Sequence, residues 1–538
     1  MVTVALCQMC CAVGDIAGNA RRMAAFARTA RDRHGADVIA FPELAITGYP
    51  PEDLLLRADF VRRAQSAVED LAAQCPDIDM LVGLPWAQDG RLYNAVAWVH
   101  AGVIAELYRK QILPNYGVFD ERRYFAAGDK PLVRTVAGSA IGVTICEDLW
   151  EPGPVARAVG AGGAIVINVN ASPYHRDKDR LRLKVAAARA RESGATLAYV
   201  NMVGGQDELV FDGMSFVMDG RGEAIVRAAA FTEDLVIVRF APDGTVLAGP
   251  KAAWPNGEHA LYEALKLGLA DYVERNGFET VVLGLSGGID SAVTLALCRD
   301  ALPHAALYAV MMPSRYTQAM SIEDARSEAT ALGLDLAVVP IDAAYEALAA
   351  TLGDLWDGPG QGLAAENLQA RIRGTLLMTI ANAHRGLVVV TSNKSELAVG
   401  YTTLYGDMAG GYAPLKDVFK TDVYALARYR NGLGMVIPER VLTRAPSAEL
   451  RCDQKDSDSL PSYDMLDAVL ARYIEQDWDA EQLIAYGFER PMVAEILRLV
   501  RAAEHKRKQA PLGTRVTQRA FGRDWRYPVT VSYEPPST

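Results

Sequence analysis

Several features typical of membrane, secreted or nucleic-acid-binding proteins are missing from this sequence. Across its 538 residues, no uninterrupted apolar run is long enough to cross a bilayer. The first ten residues lack the basic segment of a signal peptide and predict a strand instead. The formal net charge of −11 argues against binding to nucleic acid or an anionic membrane. The seven cysteines are few and odd in number, so we expect a reducing, cytoplasmic setting.

The length and composition indicate a globular protein with more than one domain. Half of the residues are hydrophobic and 22% are charged, which is the balance of an ordinary folded protein. A chain of 538 residues exceeds what one hydrophobic core normally serves. We therefore expect a first domain at residues 1–245, a linker rich in Pro and Gly at residues 246–256, and a second domain at residues 257–538.

The pattern of apolar runs predicts an α/β fold for both domains. In the first, short strands such as AIVINVN alternate with helical stretches, which indicates a layered α/β domain. In the second, TVVLGL, ALYAVMM, DLAVVPI and LVVVTS are continuous apolar strands, typical of a doubly wound parallel sheet. The tail from Ser462 predicts helices followed by an irregular segment with no obvious role in a core.

A glycine-rich loop in the second domain has the character of a phosphate site. The strand TVVLGL leads into SGGIDS, and a helix is predicted to begin near Ala292. Gly287 and Gly288 allow close backbone approach, and the helix N-terminus favours an anion. Asp290 offers a hard oxygen ligand for Mg²⁺. No GK[ST] follows, which favours attack at the α-phosphate with pyrophosphate leaving; the alternative is a tight turn without a ligand.

A second polar group follows the strand LVVVTS. Glu396 lies in the run Thr391, Ser392, Asn393, Lys394, Ser395, Glu396, which we expect to face the same cleft and to complete a magnesium site with Asp290. An ordinary helix cap explains this run equally well when it is taken alone. Lys416 and Lys420 suit phosphate contact, although Lys420 also fits a solvated first helical turn.

Three residues at strand ends of the first domain suggest covalent amide chemistry. Cys146 ends the strand SAIGVTIC, Glu43 ends DVIAFPEL, and Lys110 follows another strand. A cysteine nucleophile needs a base for its proton and a cation to stabilise the developing charge, which Glu43 and Lys110 provide. Taken singly, the cysteine is equally a core residue and the glutamate a turn residue.

The second half resembles the NAD synthetases in the order of GLSGGIDS, ENLQARIRG, TSNKSE, GYTTLYGD, APSAEL and EHKRKQAP. That family belongs to the pyrophosphate-releasing ATP hydrolases, with a Rossmann-like sheet and with ATP, Mg²⁺ and nicotinic acid adenine dinucleotide as ligands. The resemblance assigns Asp290 and Glu396 to the metal. It implies ATP contacts for Gly284, Leu285, Ser286, Gly287, Gly288, Ile289, Asp290, Ser291, Thr391, Lys420 and Ser447, and dinucleotide contacts for Asn367, Arg371, Glu396, Lys506 and Lys508.

The first half resembles the nitrilase superfamily in FPELAITGYPPEDLL, YRKQILPNYGVFDERRYF and GVTICEDLW. That resemblance implies an αββα sandwich and a catalytic triad of Glu43, Lys110 and Cys146. Within the superfamily, NYGVFDE and NASPYHRDK are similar to the glutaminase domains of NAD synthetases. Tyr116, Ser172 and Lys178 are then expected to bind glutamine. For the last two, a polar loop after a strand is the alternative.

Together the halves predict a ligase that takes ammonia from glutamine and amidates an adenylated carboxylate. Two other functions stay open on the sequence alone: an amidotransferase for another carboxylate, and an amidase controlled by a nucleotide-binding domain. The resemblance also implies a homo-oligomer, a dimer or larger. Apolar helical surface around residues 364–384 is a candidate subunit interface, unless that helix is simply buried.

Overall fold

A computed structural model describes residues 1–356 and 362–532 of the chain. The chain forms two compact units, Met1–Pro255 and Asn256–Thr538, which are described separately below. No helix in the described residues combines the length and the hydropathy that a membrane span requires.

The N-terminal unit contains two large β-sheets and four α-helices. One sheet has the strand order β15-β14-β1-β2-β3-β4-β5, and the other has the order β13-β12-β9-β8-β7-β6. The elements are β1 (Val2–Gln8), α1 (Ile16–His34), β2 (Val38–Ala40), α2 (Ala58–Gln74), β3 (Asp79–Gln88), β4 (Arg91–His100), β5 (Val103–Arg109), β6 (Leu132–Val136), β7 (Ser139–Ile145), α3 (Pro152–Gly160), β8 (Ile165–Asn170), α4 (Lys178–Ser193), β9 (Thr196–Asn201), β10 (Val203–Gln206), β11 (Leu209–Asp212), β12 (Phe216–Met218), β13 (Ala224–Arg227), β14 (Asp234–Phe240) and β15 (Val246–Ala248).

Alternating apolar side chains hold this unit together as four layers. In β8, Ile167 joins a buried core with Val4 of β1, so the two sheets pack face to face. Its neighbour Val166 points the other way and packs with Ala186 of α4. On the outer face of the other sheet, Ala27 of α1 belongs to a further core. The prediction of an αββα sandwich is confirmed.

The segment 246–256, for which the sequence predicts a linker, is packed onto the N-terminal unit along most of its length. It contains β15, which pairs antiparallel with β14. Farther along, Lys251 forms an isolated bridge with Arg227, and the indole N–H of Trp254 donates to the carbonyl of Ala228 at 2.8 Å. These contacts give the segment a defined path over the first unit.

The C-terminal unit contains a parallel sheet and twelve α-helices among its described residues. The strand order is β18-β17-β16-β19, and every pair is parallel. The elements are α5 (Gly257–Arg275), β16 (Thr280–Gly284), α6 (Ile289–Ala301), β17 (Ala306–Met311), α7 (Ala319–Ala331), β18 (Leu336–Val338), α8 (Asp342–Leu352), α9 (Leu363–Ala383), β19 (Leu387–Val388), α10 (Lys394–Val399), α11 (Lys420–Leu433), α12 (Glu439–Thr443), α13 (Tyr463–Leu470), α14 (Ala480–Tyr486), α15 (Arg490–Ala502) and α16 (Glu504–Arg507).

The order of these strands creates a crevice at one edge of the sheet. The chain moves outward from β16 through β17 to β18, and then returns to add β19 on the other side of β16. Loops that follow two neighbouring strands on either side of such a reversal diverge, and the gap between them is where α/β sheets bind ligands. Here the two loops are residues 285–288 and 389–393. The predicted parallel sheet of the Rossmann-like type is confirmed.

Two details of the C-terminal unit differ from the sequence expectations. Helix α6 begins at Ile289, three residues before the expected start near Ala292, so Asp290 lies in its first turn. The irregular segment after α16 also has a clear role in a core, because Phe521 and Trp525 are buried against α13 and α15. Aromatic residues without periodicity carry no signal for burial, so the sequence pattern missed them.

Candidate active sites

The three predicted catalytic residues of the N-terminal unit meet where strands end. Glu43 follows β2, Lys110 follows β5, and Cys146 follows β7. The Lys110 ammonium donates to Glu43 Oε1 at 2.7 Å, and both side chains are fully buried. Glu43 also accepts from the Asn94 amide at 2.7 Å and from the backbone N–H of Ala171 at 3.1 Å. These contacts fix the carboxylate in a water-poor site.

Cys146 occupies a strained turn between a strand and a short 3₁₀ helix. Its φ of 40° lies in the left-handed region, which is unusual for a residue with a side chain and is often found at functional sites. Burial raises the pKa of the Cys146 thiol, the negative charge of Glu43 adds to this, and Lys110 opposes it. The thiol is therefore protonated in the resting site and needs a base before it can attack a substrate.

Asp148 ties the cysteine turn to the lysine loop, a role that the sequence did not suggest. Its carboxylate accepts from the backbone N–H of Ile145, just before Cys146, at 3.0 Å. It also accepts from the backbone N–H groups of Gln111 and Ile112, just after Lys110, at 3.0 and 2.8 Å. One buried side chain thus holds the segments that carry Lys110 and Cys146 in register.

Glu121 provides a second carboxylate that contacts Lys110, and the sequence gave it no assigned role. The Lys110 ammonium donates to Glu121 Oε1 at 2.7 Å, and the hydroxyl of Tyr49 donates to the same oxygen at 3.1 Å. Burial raises the pKa of Glu121 to about 7, although Lys110 acts in the opposite direction. The only sequence signal was its place in the NYGVFDE motif.

The three predicted glutamine-binding residues lie around this centre. The Tyr116 hydroxyl donates to Glu147 Oε1 at 2.9 Å, and the Lys178 ammonium lies 4.2 Å from the centre of the Trp150 ring. Ser172 is buried, and its hydroxyl accepts from Arg182 Nε at 3.2 Å. Arg182 in turn forms a fully buried ion pair with Asp212 at 2.7 Å, which the sequence did not predict.

In the C-terminal unit, the glycine-rich loop lines a cavity of about 370 Å³. Gly287 has a φ of 79°, and a Cβ added there would lie 2.3 Å from the carbonyl oxygen of Ser321, so only glycine fits. The hydroxyl groups of Ser286 and Ser291 are 3.1 Å apart. The cavity is also lined by Gly284, Leu285, Gly288, Ile289, Asp290, Thr391, Glu396, Lys420 and Ser447, all predicted to contact ATP or metal.

Lys420 brings together the two predicted metal ligands. Its ammonium donates to Asp290 Oδ2 at 2.6 Å and to Glu396 Oε1 at 2.9 Å. Burial lowers the pKa of Lys420, but the two carboxylates outweigh this effect and raise it. Burial raises the pKa of Glu396 to about 8. Asn393 serves as the N-cap of α10, with its side-chain oxygen accepting from the Glu396 N–H at 3.0 Å.

This donor set fits Mg²⁺ that is shared with a nucleotide. Two carboxylates converge on one point beside the phosphate loop, and Mg²⁺ is usually held by one or two carboxylates together with phosphate oxygens. In the described part of the chain, no group of three or more His, Cys, Asp or Glu side chains is placed to hold a metal ion alone. Phosphate oxygens would therefore have to complete the coordination.

The predicted dinucleotide contacts gather around residues 400–404. Thr403 Oγ1 donates to Asn367 Oδ1 at 2.9 Å, and Arg371 Nε donates to the carbonyl of Leu404 at 3.2 Å. The Lys506 ammonium donates to the carbonyls of Gly400 and Thr402 at 2.7 and 2.6 Å, whereas that of Lys508 lies 3.6 Å from Glu504. Lys506 therefore joins the group, and Lys508 does not.

Two arginines that the sequence did not single out also line the cavity. Arg373 Nε donates to the carbonyl of Met312 at 3.0 Å, and burial lowers its pKa to about 10. Arg444 donates to the carbonyl of Gly287 at 2.5 Å and to the hydroxyl of Ser321 at 2.9 Å. An arginine between APSAEL and the preceding helix has no distinctive local pattern, so only its contacts reveal it.

Comparison with known proteins finds a different family in each half of the chain. Residues 3–248 match the carbon-nitrogen hydrolase family, and residues 261–510 match the NAD synthase family. The glutamine-dependent NAD(+) synthetase of Xanthomonas campestris pv. campestris (strain 8004) is 47% identical, with 98% of this chain and 97% of that protein covered. That of Aquifex aeolicus (strain VF5) is 43% identical, with 98% and 99% covered.

A solved structure agrees over the whole length. The glutamine-dependent NAD+ synthetase from Acinetobacter baumannii, in complex with adenosine diphosphate, is 42% identical and superposes with a TM-score of 0.79, covering 100% of both chains. The chain therefore belongs to the family of glutamine-dependent NAD(+) synthetases, which are ligases.

Proposed function

We propose that the two sites divide the reaction of the family between them. The N-terminal site releases ammonia from glutamine, and the C-terminal site uses it to amidate nicotinic acid adenine dinucleotide after activation by ATP. One observation carries this proposal. The buried Lys110 donates to both Glu43 and Glu121 and interacts electrostatically with Cys146, whose backbone is strained. Such a site supports covalent amide hydrolysis without a histidine.

In the N-terminal site, burial raises the pKa of Cys146, so its thiol needs a proton acceptor during attack. Glu43 accepts the thiol proton as Sγ attacks the carboxamide carbon, and the Lys110 ammonium stabilises the oxyanion that forms. Glu43 then passes the proton to the leaving nitrogen, ammonia departs, and a thioester remains on Cys146. Water hydrolyses the thioester with Glu43 as the base, and glutamate is released.

The surroundings of Cys146 suit a free amino acid as the substrate. Glutamine carries an ammonium and a carboxylate next to its side chain. Glu147 offers a negative charge for the first, and Lys178, which interacts electrostatically with Glu147, offers a positive charge for the second. Tyr116 and Ser172 contribute hydroxyl groups. We assign Tyr116, Ser172 and Lys178 to glutamine binding on this basis.

In the C-terminal site, we assign residues 284–291, Thr391, Lys420 and Ser447 to ATP. The carboxylate of the dinucleotide attacks the α-phosphate, pyrophosphate leaves, and ammonia attacks the acyl-adenylate with loss of AMP. Asp290 and Glu396 would hold Mg²⁺, which supplies charge neutralisation on the phosphates. Residues 284–291 keep the pyrophosphate in place through backbone N–H groups and the N-terminus of α6.

Residues 400–404 and the side chains that contact them form the proposed binding surface for the dinucleotide. Asn367, Arg371 and Lys506 contact this loop directly. Glu396 is connected to both regions: its side chain accepts from Lys420 at 2.9 Å beside the phosphate loop, and its backbone carbonyl accepts from the Tyr401 N–H at 2.9 Å. We assign it to the dinucleotide as well as to the metal. We also assign Lys508 to the dinucleotide, but Lys506 is the better placed of the two basic residues.

We further propose a homo-oligomer, a dimer or larger, in the cytoplasm. Helix α8 is rich in Ala and Leu, yet none of its side chains is buried, and Met378 of α9 is 39% exposed. Apolar surface of this kind suits a subunit interface. No disulfide links any of the seven cysteines, all of which lie in the described residues, as expected in a reducing compartment. The domain limits 1–245, 246–256 and 257–538 remain our proposal.

The decisive experiment supplies purified protein with nicotinic acid adenine dinucleotide, ATP and Mg²⁺, and follows NAD and AMP with either glutamine or ammonium as the nitrogen donor. Wild type is expected to use both donors, and Cys146→Ala only ammonium. NAD formation from glutamine by Cys146→Ala would remove Cys146 from the mechanism. Glutamine hydrolysis without AMP from any acceptor would instead favour an amidase with a regulatory nucleotide-binding unit.

A further inference from the structure

On its phosphate-loop side, the cavity of the C-terminal unit has little positive charge that is not already paired with a carboxylate. The loop SGGIDS lacks the lysine that in a Walker A loop neutralises the outer phosphates. Lys420 is engaged by two carboxylates, Asp290 and Glu396, at 2.6 and 2.9 Å. Pyrophosphate leaves with several negative charges, so a cation in addition to Mg²⁺ stabilises it on the loop side.

Arg444 is a cation that contacts the backbone of the loop. It follows α12, lines the cavity, and donates from one terminal nitrogen to the carbonyl of Gly287 at 2.5 Å and from the other to the hydroxyl of Ser321 at 2.9 Å. No ion pair with a carboxylate is found for it among the described residues. The nearest carboxylate contact runs through Ser321, whose hydroxyl donates to Glu449 at 2.6 Å, so the direct acceptors of Arg444 are a carbonyl and a hydroxyl.

A neighbouring arginine shows what a purely structural contact looks like in this region. Arg440, one helical turn earlier, pairs with Asp324 at 2.9 Å and with Glu323 at 3.0 Å, and it does not line the cavity. Its charge is neutralised by carboxylates. Arg373 does line the cavity, but it donates to the carbonyl of Met312 and not to the loop. Among these three, only Arg444 joins an unneutralised charge to the phosphate loop.

We propose that Arg444 is a ligand of the departing pyrophosphate, through its planar pair of N–H donors on the loop side of the cavity. This inference rests on the proposed use of ATP at the same site. A phosphate oxygen is a stronger acceptor for guanidinium than a backbone carbonyl, so the contact with Gly287 gives way to the phosphates. Arg444 then does for this loop what the missing lysine does in a Walker A loop.

The test compares the two products as inhibitors of ammonium-driven NAD formation, which bypasses the glutaminase site. Inorganic pyrophosphate and AMP are titrated separately at fixed Mg²⁺ against wild type, Arg444→Ala, Arg444→Lys and the control Arg440→Gln. We expect Arg444→Ala to weaken inhibition by pyrophosphate about tenfold to a hundredfold, the loss of one charged hydrogen-bonding partner. Inhibition by AMP should stay unchanged, Arg444→Lys should retain part of the pyrophosphate affinity, and Arg440→Gln should match wild type.

A role confined to bracing the loop gives a different result. The variant Ser321→Ala removes one brace of Arg444 but keeps its charge, so it should leave pyrophosphate inhibition within a fewfold of wild type. Equal weakening of AMP and pyrophosphate inhibition in Arg444→Ala, or equal effects of Ser321→Ala and Arg444→Ala, overturns the inference. A wild type that forms no AMP and pyrophosphate at all refutes the proposed function itself, which is a separate outcome.

Discussion

Replacing Lys110 with methionine removes the ammonium that Glu43 and Glu121 share. The lysine makes charge-assisted hydrogen bonds of 2.7 Å to each of them, and its side chain is fully buried. Bonds of this type contribute about 1.5–3 kcal/mol each. Breaking a buried ion pair by deleting one partner costs about 3–5 kcal/mol, because the remaining charge is buried without solvent or a partner. We expect a loss of stability of that size in the N-terminal unit.

The same substitution should abolish glutamine use and spare the other site. Without the ammonium, two buried carboxylates lie beside each other, and one takes up a proton. Glu121, whose pKa burial already raises to about 7, is the one that takes it. The oxyanion loses its cation, so we expect glutamine-driven NAD formation to fall about 10²- to 10³-fold. Ammonium-driven NAD formation by the same preparation should stay near the wild-type rate, which is the internal control for the C-terminal unit.

Stability and activity can be separated with a second substitution. Cys7 in β1 is fully buried, so its alkylation as a function of urea, measured by mass spectrometry, reports unfolding of the N-terminal unit alone. Lys110→Met with Glu121→Gln removes the buried carboxyl that must take up a proton and should recover about 1 kcal/mol or more of stability without restoring glutamine use. Glutamine-driven activity of Lys110→Met within tenfold of wild type, or a double variant less stable than the single one, would refute this reasoning.

Three further predictions concern other parts of the chain. Gly287→Ala should abolish ATP-dependent activity. Its control, Gly277→Ala, is also at positive φ but has no neighbour within 4 Å, so it should cost only about 1 kcal/mol of stability. Equal loss of activity in the two variants would contradict this. Burial raises the pKa of Glu328 to about 8 from its ordinary value of 4.5. The folded state therefore holds this proton more tightly than the unfolded chain, and the resulting stabilisation is lost as pH rises from 4.5 through 8. Glu328→Gln should therefore raise Tm more at pH 9 than at pH 5, and the reverse order would refute this prediction. Arg182→Met should raise KM for glutamine while ammonium use is kept; an unchanged KM would show that the buried ion pair does not position the substrate site.

Local patterns were sufficient for the elements that carry the sites. The continuous apolar run before SGGIDS indicates a parallel strand, and its glycines indicate a loop that approaches an anion. The structure has β16, the loop and α6 in that order, with the helix three residues longer at its start. Strand ends likewise predicted where Glu43, Lys110 and Cys146 lie in the first unit. Such signals are encoded within about ten residues, so they can be read without knowing the fold.

Contacts between distant residues were decided only by the tertiary structure. Arg444 and Gly287 are 157 residues apart, and Lys420 and Asp290 are 130 residues apart. Such pairs depend on how whole elements pack, and a single lysine or arginine in the sequence is equally consistent with an exposed surface position. Likewise Asp148 lies in the EDLW turn by sequence, but only the packing of two loops shows that it joins Lys110 to Cys146. The sequence by itself determined the two folds and predicted the reacting groups. The packing of distant segments decided which charges those groups meet, because burial and partner distance set their proton affinities.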